Sequence, residues 1–198
     1  MEYLSTPWRY DYVTGADKSA GRGVPPTLAK HPDAHLDSWV PKGENVCVFC
    51  NMISAVDHAI AHGMAADLAE TAGWIVYRGK QCFICLNAFP YNSGHVMIVP
   101  FTHTASLAAL DPAVAQEMMQ LAQRMEIVLR AVYKPDGLNF GMNIGHAAGA
   151  GIAAHLHLHA LPRWTGDTNF MSVLVETRIL PETLDITVQR LREAMQSA

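Results

Sequence analysis

The chain has 198 residues, of which 50% are hydrophobic and 16% charged, a composition that suits one globular domain and excludes a disordered one. Its net charge of −4 carries no long Lys/Arg run, which excludes a dedicated nucleic-acid surface but leaves room for a small phosphate ligand held by backbone N–H groups and imidazoles. No apolar run approaches the roughly 18 residues that span a bilayer, and the N-terminus lacks a basic region followed by an apolar one, so a cytoplasmic protein without membrane contact is expected.

Residues 1–17 mix aromatics and charges and read as ordered. Residues 18–45 are rich in Gly, Pro and Lys and predict a surface excursion. The Ala- and Met-rich span 52–72 has helical spacing and predicts an extra helix. "WIVYRGKQCFICLN" predicts two strands joined by a turn at Arg78-Gly79-Lys80, and residues 94–100 predict a third. Residues 112–133 have an amphipathic pattern with Pro112 in the first turn, the strongest helix signal in the chain. A strand is predicted over 138–145, then a small-residue loop, then a histidine-bearing strand, and a last helix over roughly 181–196. Helices punctuating hairpin-linked strands give an α+β fold with an antiparallel sheet in a single domain over 1–198.

The sharpest local signal is "AAHLHLHALPRW", where His155, His157 and His159 alternate with leucines. On a strand this directs the imidazoles to one face and Leu156 and Leu158 to the other. Packing alone does not call for three imidazoles side by side, because they crowd and desolvate one another. Two chemistries fit: a metal site using two or three of them, or a neutral imidazole nucleophile oriented by its neighbours. The preceding "NIGHAAGAGIAA" lets backbone N–H groups approach an anion, which favours phosphoryl chemistry.

The four cysteines form two C-x-x-C pairs. Cys82 and Cys85 fall on a predicted strand, face opposite sides, and read as small buried residues. Cys47 and Cys50 precede a helix and can share a metal, with His103 as a third ligand. His58 and His62 lie at i, i+4 without the glutamate of a protease motif and read as a solvated helix face; His31, His35 and His146 read as loop residues. Trp164 either covers a ligand site or packs.

"NIGHAAGAGIAAHLHLHALPRW" resembles the signature of the histidine triad (HIT) superfamily, and "LNAFPYNSGHVMIVPFTH" resembles its Asn…Gly-His-hydrophobic-Pro block. The start "YLSTPWRYDYV", the C-x-x-C at 47–50 and "PRWTGDTNFM" resemble the bacterial branch of diadenosine tetraphosphate phosphorylases and HIT hydrolases. The similarity covers about residues 1–17, 46–50 and 74–195.

The resemblance implies a fold with an antiparallel sheet of about five strands, and a homodimer, with a tetramer as the larger alternative. It implies cleavage of a nucleoside or dinucleoside polyphosphate through a nucleotidyl-histidine intermediate, resolved by water or phosphate. His157 takes the place of the nucleophile and His159 its phosphate-side partner. Asn87 matches the ribose contact, His95 the Gly-His position supporting the triad, and Asn143 the polar residue before the loop, whose glycines Gly149 and Gly151 bring backbone to the phosphate. This loop is about one residue longer than in small family members. The resemblance also makes His155 the fourth ligand of a structural zinc with Cys47, Cys50 and His103; the competing reading leaves His155 hydrogen-bonded and the C-x-x-C a remnant. Phe83 and Ile84 are expected to stack on the base. A nucleotide-binding regulator or scaffold with little turnover is the alternative to the enzyme.

Overall fold

The computed structural model describes residues 23–41, 47–167 and 182–197. The stretch 1–17, expected to be ordered, and residues 168–171 of the tail motif lie outside these.

Five antiparallel strands form one sheet: β1 (Ile75–Arg78), β2 (Cys82–Leu86), β3 (Val96–Pro100), β4 (Gly137–Gly141) and β5 (Leu158–Arg163), in the order β1-β2-β3-β5-β4. The helices are α1 (Pro26–Ala29), α2 (Val48–Ala61), α3 (Ala66–Ala72), α4 (Pro112–Tyr133) and α5 (Leu184–Gln196). The predicted α+β class and hairpin are therefore present.

α4 has the predicted bounds because both ends are signalled chemically. The Asp111 side chain accepts from Ala113 N at 2.8 Å, and Lys134, at φ 47°, stops the helix in the left-handed region. Val114, Met118, Leu121, Met125, Val128 and Leu129 make its buried stripe. α4 and α5 cover one sheet face, packing on Ile84, Leu86, Ile98, Leu156 and Leu158. The other face, with Phe83, Cys85, Met97 and Val99, is covered by α2, α3 and the 23–41 segment. Cys82 and Cys85 fall in opposite cores, as strand alternation requires.

Three expectations change. The helix predicted over 52–72 starts earlier, at Val48, and is split in two; Gly63, at φ 102°, breaks it, and Met64 N returns to Ala59 O. The described part of the 18–45 excursion is more than a surface loop. It contains α1 and two 3₁₀ turns, and it buries Leu28 and Ala34 completely. The regular histidine strand begins only at Leu158. Its lead-in is held from outside the sheet, with Leu156 N donating to Thr104 O at 2.6 Å.

Candidate active site and metal-ligand cluster

Cys47 is the N-cap of α2 and Cys50 its N3 residue, positions whose side chains converge, as in a capping box. Neither thiol caps the helix; both turn to the histidines. Cys47 Sγ lies 3.2 Å from His155 Nδ1, Cys50 Sγ 3.6 Å from the same atom and 3.4 Å from His103 Nδ1. All four ligand atoms lie within 4.8 Å of one another. A tetrahedral zinc with ordinary Zn–S and Zn–N bonds sets its sulfur and nitrogen ligands about 3.5 Å apart, so this donor set fits the ion.

The His155 tautomer, assigned from its hydrogen bonds, agrees. Nε2–H donates to Pro100 O at 2.9 Å, which leaves the Nδ1 lone pair toward the thiols. Burial keeps His155 neutral, with a pKa lowered to about 4. Burial first, then the adjacent Cys47, push the Cys50 thiol up to about 11, so a metal bound here displaces protons. His155 itself lies behind the cavity wall, which holds the other two triad members.

That cavity is about 570 Å³, a size typical of small-molecule sites. His157, His159, Asn87, Asn143, Gly149 and Gly151 all line it. His157 Nδ1–H donates to the carbonyl of His155 at 2.8 Å. The other ring nitrogen, Nε2, then carries the lone pair, and burial lowers the pKa further from protonation. An unprotonated imidazole in this state can attack an electrophile. Phe49 fixes the ring, with centroids 5.1 Å apart, and meets His155 edge-on at 5.5 Å.

A relay sets His159. Tyr91 N–H donates to His95 Nδ1 at 3.1 Å, so His95 carries its proton on Nε2 and donates to His159 Nδ1 at 3.0 Å. His159 thereby becomes a donor through Nε2. The Asn87 amide nitrogen lies 3.4 Å from His95 Nε2, a longer contact that the shorter bond outcompetes. Asn87 Oδ1 accepts from Phe89 N at 2.9 Å, which orients the amide. Gly145 and Gly149 sit at φ 83° and 85° with open space where a Cβ would stand. Backbone conformation, not crowding by the protein, is what glycine supplies there.

Other expectations change in position. Phe83 is stacked on Phe101 at 5.3 Å and Ile84 is in the opposite core; neither lines the cavity. The register explains this: the His159 rung continues through Met97 to Cys85, while Phe83 pairs with Val99 two rungs away. Of the two readings of Trp164, packing holds, since it lies against Tyr133 and not on the cavity wall, and His146 is an exposed loop residue as read, also off that wall. His58 Nε2 reaches His35 O at 3.1 Å and Ser38 Oγ at 3.2 Å, tying α2 to the excursion.

Sequence reasoning did not single out Phe49 and Trp74, both on the cavity wall. Phe49 lies inside the C-V-F-C motif, where the cysteines draw attention. Trp74 adopts φ 55°, which for a non-glycine costs on the order of 1 kcal/mol and marks a constrained position; no pattern in the sequence signals it.

The family model for the HIT domain matches residues 69–166. The chain is 38% identical over 118 residues to a Mycobacterium tuberculosis protein named AP-4-A phosphorylase; the match covers 60% of each chain, so this chain spans less than two thirds of that relative. It is 28% identical over 130 residues to an uncharacterized HIT-like protein of Saccharolobus solfataricus, covering 66% of this chain and 83% of that one. Among solved structures, a Zn-bound histidine triad family protein from Mycobacterium smegmatis aligns with a TM-score of 0.58 and 27% identity, over 78% of this chain and 96% of that one. The HIT-domain match over the sheet and the triad agrees with the five-stranded antiparallel fold above, and the chain belongs to the histidine triad (HIT) family.

Proposed function

We propose that this protein cleaves the P–O–P bond of a dinucleoside polyphosphate, with diadenosine tetraphosphate as the best substrate, through a nucleotidyl-His157 intermediate. The observation that carries this reading is the 2.8 Å bond from His157 Nδ1 to the His155 carbonyl, which leaves an unprotonated Nε2 on the same cavity as His159, Asn143 and the glycine loop. The 38% identical AP-4-A phosphorylase supports the substrate class.

In the first step Nε2 attacks the α-phosphorus. The P–N bond forms as the P–O bond to the remaining phosphates breaks, and the leaving group keeps the electron pair as an oxyanion. His159 N–H, the Asn143 amide and backbone N–H groups around Gly149 and Gly151 stabilise the charge on the phosphoryl oxygens. In the second step an oxygen of water or inorganic phosphate attacks, and the P–N pair returns to Nε2. From diadenosine tetraphosphate, water yields AMP and ATP, whereas phosphate yields ADP and ATP.

The reading extends to a structural zinc held by Cys47, Cys50, His103 and His155, supported by the ligand distances and the Zn-bound relative. Such an ion supplies a cross-link and no reaction chemistry. A homodimer is the proposed assembly, since β4 is an edge strand with Phe140 38% exposed.

The test is His157→Ala with diadenosine tetraphosphate, with products resolved in the presence and absence of phosphate. Cleavage should be abolished; cleavage at the wild-type rate refutes the mechanism. ADP that appears only with phosphate identifies a phosphorylase.

A further inference from the structure

Part of the cavity wall comes from outside the 69–166 family match. Gly23, Val24, Pro25, Pro26, Ala29 and Lys30 all line it. This segment is fixed by the rest of the fold. A Cβ on Gly23 would lie 2.1 Å from the Val48 carbonyl oxygen, so the chain there is in close contact with the first turn of α2. Leu28 is completely buried, and Thr27 Oγ1 donates to Ala72 O at 2.8 Å. Pro25 and Pro26 restrict their own φ angles. Lys30 N closes α1 on Pro26 O at 3.1 Å, which holds its backbone in place.

Lys30 is the one Lys or Arg on the cavity wall among the described residues. It is exposed while lining the cavity, which places it at the mouth. Its ammonium has no hydrogen-bond or ion-pair partner among the described residues. The remaining side chains contributed by the segment are apolar. A long polyphosphate whose α-phosphate sits at His157 must run its further phosphates and second nucleoside out through that mouth, because 570 Å³ cannot enclose the whole molecule.

We propose that Lys30, held by the 23–30 wall, is a specificity-determining residue that binds the phosphates beyond the scissile one, so that the protein prefers long phosphate chains to short ones. This rests on the cavity being the nucleotide site proposed above.

The test measures equilibrium binding of AMP and of ATP to the full chain and to Lys30→Gln and Lys30→Arg, together with diadenosine tetraphosphate turnover by the wild type. One exposed ammonium–phosphate contact is worth about a fivefold change in affinity. The preference for ATP over AMP should fall about fivefold in Lys30→Gln and be retained in Lys30→Arg, and raising salt should erode it in the wild type more than in Lys30→Gln. A ratio unchanged within about twofold, or an equal loss for both nucleotides, overturns the proposal while leaving the catalytic reading intact. Absence of diadenosine tetraphosphate turnover with the ratio effect present sinks the catalytic reading alone. A wild type that binds neither nucleotide overturns both.

Discussion

Phe49→Ala tests how the hidden wall of the site is built. The ring is 1% exposed and touches both His155 and His157, so no neighbour stands ready to fill its space. Truncating a fully buried Phe costs about 3–5 kcal/mol through lost burial and the cavity left behind, with the two ring contacts placing it toward the upper half. For a domain of this size that lowers Tm by roughly 8–20 °C. Phe49→Leu keeps most of the volume and should cost about 1.5 kcal/mol. Activity should fall more than occupancy explains. A His157 ring free to tilt loses its attack geometry, and misplacement near 1 Å costs on the order of 10²-fold in rate. The assay pairs thermal melts with kcat for diadenosine tetraphosphate at a temperature where all variants remain folded. A Phe49→Ala protein that melts within about 2 °C of wild type and turns over normally would show that Phe49 does not hold the triad.

Two further outcomes follow from particular bonds. Purified protein should carry one zinc per chain, and Cys50→Ala should lose it, because Cys50 faces both His103 and His155. At free zinc about a thousandfold above Kd, bound metal adds about 4 kcal/mol, so chelation should lower Tm; a Cys50→Ala protein with full zinc content refutes the ligand set. Asp167 accepts from Arg163 at 2.6 and 2.9 Å, from Asn92 at 2.8 Å and from Trp164 N, and these bonds, Arg163 foremost, hold its carboxyl well below the usual range. Its stabilisation is therefore complete above the ordinary carboxylate pKa and is lost as pH falls below that value. Asp167→Asn should cost about 2 kcal/mol at pH 7 and flatten the loss of stability between about pH 4 and 2; an unchanged acid-denaturation curve refutes it.

Local chemistry made much of this protein legible. The bounds of α4 were readable because Asp111-Pro112 and the apolar stripe act within a turn or two. The separation of Leu156 and Leu158 from the imidazoles followed from strand alternation and persists into the irregular lead-in, as does the split of Cys82 from Cys85. The resemblance of the triad motif to a known family supplied the remaining site residues. The break at Gly63 is not legible in the sequence, because glycine in an apolar-periodic helix is tolerated unless its φ turns positive, as it does here.

What the sequence determined by itself is the inventory and its local facing: three alternating histidines, a paired thiol, a glycine-rich loop and the helices and strands that carry them. Tertiary structure decided which of these meet. Cys47 and His155 are 108 residues apart, and no local periodicity encodes their 3.2 Å approach. Tertiary contact also chose the tautomers, through Pro100 O for His155 and Tyr91 N for His95. It placed Phe49, Trp74 and the 23–30 segment on a cavity shared with the triad. The physical reason is one of range: propensity, capping and alternation act within a few residues, whereas a binding wall is assembled by burial across the whole chain and becomes visible only once the sheet has brought its faces together.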